Sequence, residues 1–282
     1  MSSHVVEAKS HMPVQEPMHY FGPLVDGARC KLACSPKGDE KSATFAYFTS
    51  RTQEDPSAVV VLTLPRRHAN GAWSLEIDGV QVNDLSLRGQ GFGAKVHHAA
   101  CQWLKSIEST PHPASHIRLL AGSLGDECSG PWLWANLGYQ AKNWVQFETK
   151  KTGVRKDFVD AWEMFLWNIH KKFSVEQKTE FTKPGFLSLF KTLNLELASS
   201  QNPREFFTAI EVACQGPLRI WSDAAIEKGG WVDGAGRKLS IAKAFTSVAA
   251  PVFKGKFDIH DSHSVRAFNS YCERKGSPEL MM

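Results

Sequence analysis

The stretch of this chain best suited to chemistry is Leu87-Arg88-Gly89-Gln90-Gly91-Phe92-Gly93. Glycines at 89, 91 and 93 let the main chain approach a ligand without interference from Cβ atoms. Where such a turn runs into a helix, its N–H groups and the positive end of the helix dipole can hold phosphate oxygens. A helix is expected next, because Val96, Ala99, Ala100, Trp103, Leu104 and Ile107 recur at helical spacing. Upstream, Trp73, Leu75 and Ile77 alternate with Ser74, Glu76 and Asp78, the pattern of a strand with one apolar and one polar face. Glu76 and Asp78 share the polar face. Two carboxylates lining one cleft would raise the proton affinity of one of them and suit it to general-base chemistry.

The elements that position these residues follow from punctuation and period. After Gly79 the apolar residues move to Val80 and Val82, an inverted phase. A strand cannot change faces without an inserted residue, so a β-bulge is expected at about Asp78–Gly79. Ala28–Cys34, Thr44–Thr49 and Val59–Leu64 read as earlier strands, and Asn70-Gly71 marks a turn within Arg66–Gly71. Downstream, Pro111 and Pro113 break the chain before a short buried strand at Ile117–Ala121. A short helix should start at about Ser129 as N-cap, with Pro131 in its first turn. Leu137-Gly138-Tyr139 closes that helix, and Lys142–Thr149 reads as a last strand.

Taken together, these parts resemble the GNAT superfamily of acetyltransferases over about residues 28–148. Arg88-Gly89-Gln90-Gly91-Phe92-Gly93 matches that family's pyrophosphate loop, Arg/Gln-x-x-Gly-x-Gly/Ala. In the family the loop follows a bulged strand. A later short helix with a closing Leu-Gly-Phe looks like Trp132–Tyr139. The resemblance implies acetyl-CoA as co-substrate, with its pyrophosphate on Arg88, Gly89, Gln90, Gly91, Phe92, Gly93 and Ala94. It also implies two strands splayed beyond the bulge, the pantetheine arm between them, and N–H groups near Val80 and Val82 polarising the thioester carbonyl. Glu76 stands where the family often places a glutamate base, with Asp78 the second candidate. Two departures stand out. Ser35–Ala43 is too short for the helices that usually follow the family's first strand and help form the acceptor site. Trp134 stands where a general-acid tyrosine is usual, which leaves Tyr139, Cys128 or Ser129 as substitutes.

Beyond Lys150 the chain reads as mostly helical, with an aromatic stripe at Phe158, Trp162, Phe165, Leu166, Ile169 and Phe173. Further helices are expected near 184–198, 203–214, 239–249 and 263–273. The expected architecture is α/β: a mixed, largely antiparallel sheet with flanking helices, then a mostly helical C-terminal domain. Residues 1–25 would form a flexible arm, 26–148 the CoA-binding core, and 149–282 the helical domain, which could complete the acceptor site.

Bulk properties exclude several classes. The 282 residues are 42% hydrophobic, enough for a sizeable core. Apolar runs such as Ala58–Leu64 are too short to span a bilayer, so no membrane partner is expected. Residues 1–20 show no secretory pattern and the cysteines form no CxxC pair, so a cytoplasmic protein is expected. A polar arm is also compatible with an exported effector. A net charge of +4 suits a CoA phosphate but shows no basic stripe for nucleic acid. Cys30 and Cys34 have zinc-ligand spacing but no second pair, and His97 and His98 fit as ordinary helix residues, so no metal is expected. His260-Asp261-Ser262-His263 reads as a turn capping the last helix. The function expected is transfer of an acetyl group from CoA to an amine on a protein or small molecule. The alternatives are a catalytically degenerate scaffold that grips a partner, or an acetyltransferase acting on tRNA or another RNA.

Overall fold

The computed structural model describes residues 16–37, 40–67, 73–108, 114–122, 130–145, 147–148, 155–156, 203–215, 238, 240, 242–243, 246 and 252–282. Its helices are α1 (Glu16–Phe21), α2 (Phe92–Ser106), α3 (Gly130–Asn136), α4 (Pro203–Gln215) and α5 (Ser262–Lys275). Its strands are β1 (Arg29–Lys37), β2 (Glu40–Phe48), β3 (Ala58–Arg67), β4 (Trp73–Val82), β5 (Ala114–Ala121), β6 (Gln140–Val145), β7 (Phe147–Glu148), β8 (Arg155–Lys156) and β9 (Val252–Asp258). Seven of them form one sheet in the order β1-β2-β3-β4-β5-β9-β6. The β4–β5 pair is parallel and every other neighbour is antiparallel. The expected mixed, largely antiparallel sheet with flanking helices is therefore present. The aromatic stripe at 158–173 and the helix near 184–198 lie outside the described residues.

Period-2 alternation sorts the sheet into two faces. On one face lie Phe45, Val60, Leu62, Ile77, Ile117 and Phe257, all buried against the apolar stripe of α2. The first two strands are joined directly, with Lys37 opposite Glu40, so no helix intervenes between them. The expected flexible arm 1–25 needs correction at its C-terminal end. Phe21, Leu24 and Val25 are core residues, and Phe21 stacks on Phe45 and edge-on to Trp103. The Tyr47 hydroxyl donates to the Phe21 carbonyl. Pro23 limits this apolar cluster to one turn of helix and its exit, too short to show a period.

The expected core boundary at residue 148 also needs correction. Strand β9 sits between β5 and β6, pairing Ile117 with Phe257 and Ala141 with Gly255. The core is thus discontinuous in sequence and includes the last described segment. Helix α5 follows β9 at once, capped by Asp261, whose carboxylate accepts from the N–H groups of His263 and Ser264. That is the expected role of the His260–His263 segment. Helix α4 docks on α3, where the Trp132 indole donates to Glu211 at 2.9 Å and Lys243 lies over the Trp132 ring.

His97 of α2 is fully buried. Its Nδ1 lies 3.0 Å from the Tyr139 hydroxyl and its Nε2 3.5 Å from Cys101 Sγ. Phe257 and Phe268 close on the ring. Burial drives its pKa down from 6.5 to about 3, with a smaller push from His98. Folded protein therefore holds fewer protons here than unfolded protein. The stability is complete above pH 6.5 and is lost as pH falls towards 3. From pH 7 to pH 5 the expected loss from this residue is about 2 kcal/mol. Urea unfolding of wild type and His97→Gln at both pH values tests it. The variant keeps an amide beside Tyr139 and should show a pH dependence smaller by that amount, whereas equal slopes would assign the acid sensitivity to another group.

Candidate functional site

The site is built where β4 ends and α2 begins. Past Val82, the N–H groups of Asn83 and Asp84 donate to the Ser57 carbonyl at 2.8 and 3.0 Å, and the Asn83 amide donates to Pro56. Asp84 then caps one 3-10 turn, Leu85–Leu87, accepting from the N–H and hydroxyl of Ser86. Those bonds hold the Asp84 carboxyl below its usual range. Arg88 Nε donates to the Val82 carbonyl at 3.1 Å, and the Gln90 amide donates to the Ser86 carbonyl. Both side chains therefore brace the loop.

Gly91 is the N-cap of α2, in the left-handed region at φ 78°, with no side-chain cap and no acidic residue in the first turn. The N–H groups of Phe92, Gly93 and Ala94 accordingly have no intrahelical acceptor. A Cβ on Gly91 would meet nothing within 4 Å, so there is open space beside this residue. These donors form an anion cradle of the kind that fits a pyrophosphate, with no acidic side chain in its own first turn. Gly93 departs from the expectation that its missing Cβ admits a ligand. A Cβ there would lie 2.6 Å from Leu133 Cδ2, so this glycine admits α3 against α2 instead. Its N–H stays among the first-turn donors.

The second half of the site is a gap in the sheet. β4 and β5 pair only from Trp73 opposite Ala114 to Ile77 opposite Leu119. Beyond that, β4 continues beside β3 to Val82, and β5 continues beside β9 to Ala121. The cause is a bulge. Val61 pairs with Gly79 and Leu62 with Ile77, so Asp78 is an extra residue that bends β4 away. The phase inversion in the sequence marked this place. Beyond the bulge the N–H direction alternates. Asn83 donates towards β3, so the N–H groups of Val82 and Val80 point away from it, into the gap. The gap opens at the C-terminal ends of the parallel strands, the end at which the glycine loop sits.

The carboxylates lie on the face opposite α2. Glu76 is half-buried between Thr63 on β3 and Arg118 on β5, and Arg118 in turn faces Lys256 on β9. Asp78 is exposed, and its Oδ2 accepts from the buried Thr63 hydroxyl at 2.6 Å. The two carboxylates thus share a face, but Asp78 is engaged by Thr63. Thr63, Arg118 and Lys256 carried no motif, and only the register across four strands brings them to this face.

The substitutes for a general acid fare differently. Trp134 is buried and meets Tyr139 edge-on. Tyr139 is itself buried, with its hydroxyl on His97 and its pKa pushed up by burial, so it belongs to the core and not to the gap. Cys128 and Ser129 lie outside the described residues. Cys30 and Cys34 sit four residues apart on β1, which separates them by roughly 13 Å along the strand and rules them out as joint ligands of one zinc. Among the described residues no cluster of three or more His, Cys, Asp or Glu could hold a metal, and no helix is long and apolar enough to cross a membrane.

No family model matches the chain, and no curated protein does. Among solved structures, the crystal structure of malonyl-CoA decarboxylase from Rhodopseudomonas palustris is similar at 11% identity and a TM-score of 0.29. The match covers 85% of this chain and 53% of that one, so the chain spans about half the length of that protein. At this TM-score the likeness carries no assignment.

Proposed function

We propose that this protein is a CoA-dependent acyltransferase of the GNAT type, moving an acetyl group from acetyl-CoA to an amine. The observation that carries this reading is the parallel β4–β5 pair that parts at a one-residue bulge beside an uncapped helix N-terminus. The pyrophosphate would sit on the N–H groups from Gly89 to Ala94, and the thioester would reach through the gap. There the Val80 and Val82 N–H groups would polarise the carbonyl as charge develops on its oxygen. The amine nitrogen attacks the carbonyl carbon, the C–N bond forms and the C–S bond breaks. Glu76 takes the proton that the nitrogen sheds, and the departing thiolate gains one, so the products are an amide and free CoA thiol.

Calorimetry with CoA on Gly91→Asp and Gly91→Asn tests the loop. Both side chains tolerate the left-handed conformation better than most. Aspartate alone sets a negative charge against the pyrophosphate, and it should weaken binding by roughly 100-fold while asparagine costs a few-fold. Unchanged affinity in Gly91→Asp removes the loop assignment. One observation favours a second reading, an interaction protein on the same scaffold: Trp134 occupies the place of the usual tyrosine and no described side chain replaces it at the gap. That reading predicts CoA binding without turnover.

A further inference from the structure

We infer that the amine acceptor carries an anionic group, a carboxylate or a phosphate, and that Arg118, Lys254 and Lys256 receive it. This deepens the acyltransferase reading and rests on it for the identity of the reaction. Arg118 and Lys256 are directly opposed in the antiparallel β5–β9 ladder, and Lys254 follows two residues along on the same face. Like charges directly opposite one another destabilise a sheet. Lys254 faces Leu120 across the ladder and Glu76 flanks Arg118 from β4, while Asp258, two residues from Lys256 on that face, is engaged at both oxygens. Its Oδ2 meets His116 Nε2 at 2.9 Å and its Oδ1 accepts from the His260 N–H at 3.0 Å. Lys254 is exposed, while Arg118 and Lys256 are half-buried, so all three are within reach of solvent.

The placement sets the class of ligand. Glu76, Arg118 and Lys256 share one row on the face opposite α2. The anion cradle lies at the N-terminus of α2, so a thioester passing through the gap emerges on the side of that row. An amine shedding its proton to Glu76 would have its own far end one to two strand spacings away, roughly 5–10 Å, over Arg118 and Lys256. An amine with an anion at that reach bridges the row, and a neutral alkylamine has no group to offer the cations.

The test uses full-length protein and acetyl-CoA, reading thiol release with ω-amino carboxylates and ω-aminoalkyl phosphates of four to six carbons against n-alkylamines of equal length. Either anionic series should exceed the alkylamines in kcat/KM by about tenfold or more, and the better of the two identifies the anion. Lys256→Glu should remove that preference while leaving CoA affinity unchanged. Equal rates for anionic and neutral amines, or a preference that survives both Lys256→Glu and Arg118→Gln, overturns the inference. A second measurement does not need turnover. With the glycine-loop cradle disabled by Gly91→Asp, inorganic phosphate should still raise the melting temperature, and adding Lys256→Glu should abolish that rise. A phosphate shift kept in Gly91→Asp/Lys256→Glu counts against the anion site even if the protein proves inactive. Loss of CoA binding in wild type with this phosphate pattern intact would instead remove the acyltransferase reading and leave the anion site standing.

Discussion

Removing residues 252–282 is expected to unfold the sheet, not merely to trim a helical appendage. Strand β9 is the partner of both β5 and β6, so its loss leaves β6 without a neighbour and β5 with β4 alone. The deletion also removes Phe253, Phe257, Ile259, Phe268, Tyr271 and Cys272 from the buried core. Truncating one large buried side chain costs about 2–5 kcal/mol. Domain stabilities are roughly 5–15 kcal/mol in total. Losing several such side chains and an interior strand together therefore exceeds any ordinary reserve. A chain ending at residue 251, and the fragment 26–148, should both lack a cooperative urea transition and protected amides in β5. The fragment 26–148 also lacks Phe21, Leu24 and Val25, which seal Phe45 and Trp103. A cooperative melt for either protein would mean that β5 and β6 find another partner and that β9 is dispensable.

Why that dependence was illegible in the sequence is a matter of range. The bulge could be read because it is local: one strand, one glycine, one inverted phase. The loop and α2 could be read for the same reason, since an apolar stripe from Val96 to Ile107 needs no partner to be recognised. Strand β9 has the same kind of local signal, with Phe253 and Phe257 on one face, but its neighbours β5 and β6 lie far back in the chain. Nothing local says that a strand will enter a sheet between two earlier ones. The same holds for Gly93, whose missing side chain reads as an invitation to a ligand until Leu133 is found against it. It holds again for Thr63, Arg118 and Lys256, which only the strand register sets beside Glu76. The candidate base was therefore visible and its neighbours were not.

Those neighbours sharpen what Glu76→Gln should do. Glutamine keeps the shape and hydrogen-bonding capacity of glutamate between Thr63 and Arg118 but cannot take a proton. General-base catalysis contributes about 100- to 10,000-fold in rate. Thiol release should fall by that range while CoA affinity and melting temperature hardly move, because the loop at Gly89–Ala94 is on the other side of the sheet. The loss should shrink at high pH, where more of the acceptor amine arrives already deprotonated. Asp78→Asn offers the contrast. Its Oδ2 accepts from the Thr63 hydroxyl, and an asparagine oxygen can accept the same bond. That variant should keep most of its activity, with any loss independent of pH. A wild-type rate in Glu76→Gln beside a collapse in Asp78→Asn would move the base to the bulge. Full CoA binding with no thiol release from wild type, whatever amine is offered, would favour the scaffold reading, since Trp134 cannot protonate a leaving thiolate.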